Sequence, residues 1–192
     1  MDLREPLLGS PFPVRWRGRL ISQDLANSSL EVNAVARFVQ PPNSVLEIGA
    51  GYGRTAYVIL SVFPECNYTV VDIEPALSLS RWYLSQLFGT TRLTFLTPSE
   101  AISIADRSVD LALSISSLQE MTPEEIRGYL QLIDRVARGY VYLKQWTSWR
   151  NSVDKVTTKF DDYPVPARWS PIFKESAPVQ VRFTHALWRL AH

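Results

Sequence analysis

The sequence of 192 residues has one cysteine, Cys66. A lone cysteine excludes an internal disulfide and any cysteine-rich metal site. It also sets the expectation of a reducing, cytoplasmic setting, and Cys66 itself reads as a loop residue just ahead of a strand. No run of eighteen apolar residues occurs, so no membrane-spanning helix is predicted. Residues 1–14 are rich in proline and charge and lack the apolar core of a signal peptide. Neither charge sign dominates: 20 Lys and Arg stand against 19 Asp and Glu, a formal net charge of +1. The one basic-aromatic cluster, Arg15-Trp16-Arg17-Gly18-Arg19, has no further basic stripe beside it, which argues against a nucleic-acid partner. It reads either as a surface arm packing Trp16 or as cover for a ligand pocket. Histidine is scarce as well, with two in the chain, His185 and the terminal His192. The latter is expected to be disordered and outside any site.

What is present fits one globular domain with a substantial core, since 46% of the residues are apolar. The predicted organisation is an N-terminal arm over 1–22, a leading helix over 23–40 and a core over 45–190. Pro6, Pro11 and Pro13 suggest that the arm is irregular. The leading helix takes its apolar face from Leu25, Leu30, Val32, Val35, Ala36 and Val39, and Pro41-Pro42 closes it.

The informative stretch is Val45-Leu46-Glu47-Ile48-Gly49-Ala50-Gly51-Tyr52-Gly53-Arg54-Thr55. A short apolar run reads as a buried strand, three alternate glycines follow, and Ala56, Ile59, Leu60 and Phe63 mark one face of a helix. Glycine permits positive φ and close approach of backbone to ligand. A dinucleotide fingerprint, G-x-G-x-x-G, would need a small residue where Arg54 stands. The pattern is instead E-x-G-x-G-x-G, with an acid ahead of the first glycine. It resembles the first motif of class I S-adenosylmethionine (AdoMet) methyltransferases, whose cofactor has an amino-acid tail and no pyrophosphate.

Tyr68-Thr69-Val70-Val71-Asp72-Ile73 is a β-branched run ending in an acid nineteen residues past Gly53. An acid at that strand tip can accept hydrogen bonds from a ribose diol. Asp72 also reads as an N-cap for the helix predicted over 75–88. That helix shows Leu77, Leu79, Trp82, Leu84, Leu87 and Phe88, with Gly89 as a C-cap. A third strand over 92–96 ends at Thr97-Pro98-Ser99-Glu100, where the resemblance implies that Ser99 or Glu100 contacts an adenine amino group, although Pro98 departs from the usual arrangement; Ser99 reads equally as a helix N-cap. A fourth strand over 109–115 runs into Ser116-Ser117-Leu118-Gln119-Glu120-Met121. Thr122-Pro123-Glu124-Glu125 then opens a helix over 123–137, and a fifth strand covers 140–144. Residues 148–160 are predicted to be a polar helix, 161–166 a loop, and 169–173 and 179–190 a closing pair of strands.

Strands alternating with helices at this interval predict an α/β, Rossmann-like, doubly wound sheet. The resemblance implies seven strands in the order 3-2-1-4-5-7-6, with the last strand antiparallel. It also implies a cofactor set of Glu47, Gly49, Ala50, Gly51, Gly53, Arg54, Asp72, Ile73, Ser99, Glu100, Ser116 and Gln119, with Arg54 or Thr55 at the methionine carboxylate. Through Leu46–Gly53, Ser117–Met121 and Tyr140–Lys144 the chain further resembles a family of sugar O-methyltransferases. The acceptor implied is therefore a sugar-type small molecule. A natural product, a protein side chain, or a non-catalytic role as partner subunit are the alternatives. The chain is short at its N-terminus for that family, so a homo-oligomer or another subunit is expected to complete the pocket.

An alcohol acceptor needs a base for its proton. Glu120, just past the fourth strand, is the first candidate, and His185, with an ordinary pKa near neutrality, is the second. Gln119 is expected to hydrogen-bond cofactor or hydroxyl. Lys144 would bind an anionic acceptor or be exposed. Asp161-Asp162 could hold Mg²⁺ with Glu120, but a solvated acidic turn is the preferred reading, and no metal is expected.

Overall fold

A computed structural model describes residues 3–152 and 155–191; His192 lies outside them. The elements are β1 (Val14–Trp16), β2 (Arg19–Ile21), α1 (Gln23–Ala36), β3 (Ser44–Ile48), α2 (Arg54–Val62), β4 (Asn67–Val71), α3 (Ala76–Phe88), β5 (Leu93–Leu96), β6 (Val109–Ile115), α4 (Pro123–Val136), β7 (Ala137–Trp146), β8 (Ser148–Arg150), β9 (Thr157–Lys159), β10 (Trp169–Ser176) and β11 (Phe183–Leu190). Short 3₁₀ turns cover Glu100–Ser103, Leu118–Glu120 and Phe160–Asp162.

Seven strands form the main sheet in the order β10-β11-β7-β6-β3-β4-β5. β3 to β7 are mutually parallel, while β11 runs antiparallel to both β7 and β10. Counted along the main sheet this is the predicted order 3-2-1-4-5-7-6, antiparallel strand included. Strand alternation sends successive side chains to opposite faces. Leu46, Ile48, Ala112, Val141 and Leu143 pack toward α4. Val45, Tyr68, Val70, Leu113 and Tyr142 pack toward α1, α2 and α3.

The helix ends follow local chemistry. Ser22 caps α1 by accepting from Leu25 N at 3.0 Å. Thr122 and Glu125 form a reciprocal capping box at α4, with Pro123 in the first turn. Gly89, at φ 72°, ends α3 as expected. The faces of two helices differ from the periodic reading. Leu30 on α1 is exposed, and α3 turns Leu79 and Trp82 outward while burying Tyr83 and Ser80. In α3 the ring of Tyr83 packs edge-on against Tyr52 of the glycine turn, 5.3 Å between centroids, and that contact sets the helix rotation.

Two predicted segments are corrected. The arm is not irregular throughout, because β1 and β2 pair as an antiparallel hairpin. Its turn is Arg17-Gly18, both at positive φ. The polar helix over 148–160 is absent from the described residues: β8 and β9 pair antiparallel there, and a 3₁₀ turn follows. With no apolar stripe to bury, that segment gains more from pairing as a separate two-stranded ribbon than an isolated helix would from propensity.

Candidate functional site

β3 and β6 are neighbours, yet the chain leaves β3 toward β4 and enters β6 from the far edge. Their carboxyl ends are therefore the switch point of the sheet, where doubly wound folds bind ligands. The loops after β3, β4 and β6 converge there, and α1 closes the space from one face. A cavity of about 240 Å³ results, lined by residues of α1, the glycine turn, the start of α2, and the tips of β6 and β7.

The glycine turn is shaped by its surroundings. Gly49, at φ 73°, donates its N–H to Val71 O at 2.8 Å. A Cβ on Gly49 would lie 1.8 Å from Ser117 Oγ, so only glycine fits between β3 and the loop after β6. Gly51 N donates to Asp72 Oδ2 at 2.9 Å. Gly53, at φ 97°, is the N-cap of α2 and brings no side chain to that helix end. Ala50 is half-buried beside the cavity. Asp72 does not cap α3, whose N-cap is Pro75. Its Oδ1 accepts from Ile73 N at 2.8 Å, and the carboxylate ties the tip of β4 to the glycine turn. Burial pushes its pKa up, against the pull of those two amides. Ile73 beside it is 63% exposed, an apolar surface left bare at the strand tip.

Glu47 is buried below the turn and lines the cavity. Tyr68 donates its hydroxyl to Glu47 Oε2 at 2.8 Å. Desolvation pushes the carboxyl up to about 8, because no cation among the described residues is paired with it. Two cations line the same cavity, and both have partners. Arg54 pairs with Glu5, donates to Ser22 Oγ at 2.7 Å and to Tyr83 Oη at 2.9 Å, and leaves Nε buried without a partner. Lys144 is buried, 2.5 Å from both Glu31 Oε1 and Gln180 Oε1, so it is neither exposed nor freely available to an anion.

Other expected site residues lie elsewhere. Ser99 and Glu100 are exposed near the tip of β5. Glu100 accepts from Thr97 N and Thr97 Oγ1, both at 2.8 Å, and the amide chiefly holds its pKa down. Ser99 makes no capping bond. Ser116, at φ 55°, lines the cavity, and its Oγ accepts from Gln119 Nε2 at 3.0 Å. Gln119 also accepts from Trp146 N at 2.7 Å, so its amide bridges Ser116 of the loop after β6 to the end of β7.

Neither expected base lines the cavity. Glu120 is exposed at the end of a 3₁₀ turn, its carbonyl accepting from Asn151 Nδ2, and the cap of α4 belongs to Thr122. His185 is buried away from the cavity lining, its Nδ1 3.2 Å from Tyr142 Oη and its ring against Phe173. Burial holds its pKa below the usual imidazole value. Asp161 faces Lys174 at 2.5 Å. Among the described residues no group of three His, Cys, Asp or Glu side chains is arranged to hold a metal, and no helix is long and apolar enough to cross a membrane.

Three groups were missed. Glu31 of α1 enters the cavity from the helical face. Asp24, also of α1, accepts from Tyr52 Oη at 2.9 Å. Gln145, fully buried, accepts from Ser117 N at 3.0 Å and donates to Ser114 O, fixing the loop that presses on Gly49. For Glu31 a signal existed. It falls on the stripe of Leu25, Ser28, Val32 and Val35 that α1 buries.

The turn fits AdoMet by its own chemistry. A buried acid lacks a cation, an arginine Nε lacks an acceptor, and the glycines leave the backbone bare. Fold and glycine turn together have the form found in class I AdoMet-dependent methyltransferases. Residues 45–139 match the model of a family described as a methyltransferase domain. No curated protein matches the sequence. Among solved structures, a SAM-dependent methyltransferase from Aquifex aeolicus superposes with a TM-score of 0.62 at 16% identity, over 84% of this chain and 89% of that one. The 1,6-didemethyltoxoflavin-N1-methyltransferase of Burkholderia thailandensis, solved with 1,6-didemethyltoxoflavin and S-adenosylhomocysteine bound, gives 0.62 at 17% identity, over 88% and 79%. A mitomycin 7-O-methyltransferase gives 0.62 at 14%, over 88% of this chain and 54% of that one. The family match carries methyl transfer, the structural likenesses carry the fold, and AdoMet is the cofactor.

Proposed function

We propose that the protein transfers a methyl group from AdoMet to a hydroxyl of a sugar or glycosylated small molecule. In this reading Gly49, Ala50, Gly51 and Gly53 let the backbone approach the methionine portion. Glu47, once ionised, receives its ammonium, and Arg54 Nε, with Thr55 beside it, faces its carboxylate. Asp72 receives the ribose hydroxyls while keeping Gly51 in place, and Ile73 offers the apolar surface for the adenine. Ser99 and Glu100 flank the adenine edge, and Ser116 and Gln119 hold the wall where cofactor and acceptor meet. When bound, AdoMet supplies a methyl group already activated as a sulfonium. The protein therefore has mainly to align the reactants, an effect that can be worth about 7–11 kcal/mol.

The observation that carries the acceptor class is the lining of the cavity beyond the glycine turn. Asn27, Ser28, Glu31, Lys144 and Gln180 present donors and acceptors, while Phe183 gives one apolar wall. Such a mixture suits a polyhydroxylated ligand with one apolar face. A panel test with methyl-labelled AdoMet checks this against methyl glycosides, phenols and amines. Label on glycosides is the expected outcome, and label on amines alone would defeat the hydroxyl reading. A second reading, a planar aromatic natural product, is favoured by one observation. Trp146 packs 5.1 Å from Trp149 and 5.4 Å from Phe183, a cluster of rings on the β7 side of the cavity. Faster transfer to phenols than to glycosides would select it. Tight AdoMet binding with no transfer to any acceptor would instead point to a non-catalytic subunit.

A further inference from the structure

The hydroxyl reading needs a proton acceptor inside the cavity, and neither Glu120 nor His185 lines it. Three carboxylates do: Asp24, Glu31 and Glu47. Glu47 lies under the glycine turn, bonded to Tyr68, where the cofactor's own ammonium takes it. Asp24 accepts the Tyr52 hydroxyl on the exposed side of the turn. Glu31 differs from both. It reaches from α1 across to the tip of β7, beside Ile115, Ser116 and Phe183, and is 6% exposed. Its two oxygens are unequal. Oε1 is 2.5 Å from Lys144 Nζ, whereas Oε2 has only a long contact, 3.4 Å, from Thr55 Oγ1. Thr55 is itself 3.3 Å from Ser28 Oγ.

Resting on the hydroxyl reading, we infer that Glu31 is the general base of the transfer, with Lys144 as the positioning residue that holds it ionised and aimed. The acceptor oxygen bonds to the methyl carbon, the carbon–sulfur bond breaks with its electron pair going to sulfur, and the hydroxyl proton goes to Glu31 Oε2. Lys144 keeps its own proton throughout. Burial on balance raises the pKa of the Glu31 carboxyl, which makes it a stronger base, while the Lys144 ammonium opposes that rise and favours the charged form. Gln180 binds Lys144 from the other side and fixes the direction of the pair. A carboxylate anchored through one oxygen and open at the other is suited to taking one proton from a fixed direction.

The test compares wild type with Glu31→Gln, Glu120→Gln, Lys144→Met and the double variant Glu31→Gln/Lys144→Met. The double variant replaces the ion pair by a neutral pair of similar size and stands in if Glu31→Gln alone fails to fold. Calorimetry with S-adenosylhomocysteine reads cofactor-site integrity without turnover. Labelled transfer is then measured on methyl glycosides and on a series of phenols of increasing acidity. Glu31→Gln should bind S-adenosylhomocysteine within about threefold of wild type and lose roughly 100-fold or more in kcat on glycosides. That loss should shrink steadily as the acceptor hydroxyl becomes more acidic, a trend that a merely structural role would not produce. Equal kcat in wild type and Glu31→Gln, or a larger loss in Glu120→Gln, would overturn the assignment while leaving the hydroxyl reading intact. Wild-type cofactor binding with no transfer to any hydroxyl would overturn the hydroxyl reading and this assignment together.

Discussion

The two halves of the proposed site are built differently. The cofactor half, around β3, β4 and the glycine turn, is made chiefly from backbone on two adjacent strands: Gly49 N donates to Val71 O, and Gly51 N to Asp72 Oδ2. The acceptor half, between α1 and β7, is made from side chains that meet across long stretches of chain. Glu31 and Lys144 are 113 residues apart, and Lys144 and Gln180 a further 36. A cofactor of fixed shape is met by a fixed backbone, whereas an acceptor is selected by groups that can change one at a time without disturbing the turn.

The sharpest way to break the cofactor half is Gly49→Ala. The added Cβ would meet Ser117 Oγ at 1.8 Å, at a φ that non-glycine residues rarely adopt. We expect a loss of about 100-fold or more in AdoMet affinity, together with strain on the order of 1–3 kcal/mol from the backbone alone. Adding Ser117→Gly should relieve the overlap but not the φ, so calorimetry on the pair should show partial recovery. Asp72→Ala comes next. It removes charge-assisted bonds of about 1.5–3 kcal/mol each at most and releases Gly51 N. AdoMet should weaken strongly while circular dichroism and the unfolding transition show a folded protein. Normal binding would confine Asp72 to a structural tie.

The Glu47 carboxyl gives the same half a pH dependence. Its pKa is pushed up to about 8 by burial in the folded protein and falls to about 4.3 in the unfolded chain. Between those values the folded state holds a proton that the unfolded state has released. The stability it contributes is thus full below the lower value and is lost as pH rises through the upper one. Apo protein should therefore melt at progressively lower temperature between about pH 5 and pH 8, a trend that Glu47→Gln should flatten. AdoMet affinity should move the opposite way and tighten as Glu47 ionises. In the acceptor half, Trp149→Ala should have the smallest effect. Losing its ring contact with Trp146 should raise acceptor KM by about two- to tenfold and leave AdoMet affinity unchanged.

That contrast also explains what could be read from the sequence. The alternation of strands and helices, all four helices and the glycine turn follow from runs of consecutive residues whose periodicity is local, whereas the order of the sheet came from the family resemblance that the turn carries. Asp72 was visible because a strand, a turn and a helix fix its distance from Gly53. Lys144 was visible at a strand tip, but its burial was not, because the acid that makes burial tolerable comes from α1. The hairpin of β8 and β9 was misread because Ser148 to Lys159 carries no apolar pattern of either period. The face of α3 was misread because Tyr83, a large ring with a polar tip, packs inward to meet Tyr52 and Arg54.

The central claim is that the turn from Glu47 to Gly53, with Arg54 in place of a small residue, is built for AdoMet and not for a dinucleotide. Titration calorimetry on the wild-type protein with AdoMet and with NAD tests it most directly. Saturable one-to-one binding of AdoMet with no heat from NAD is the expected result. Saturable NAD binding with silence from AdoMet would contradict it.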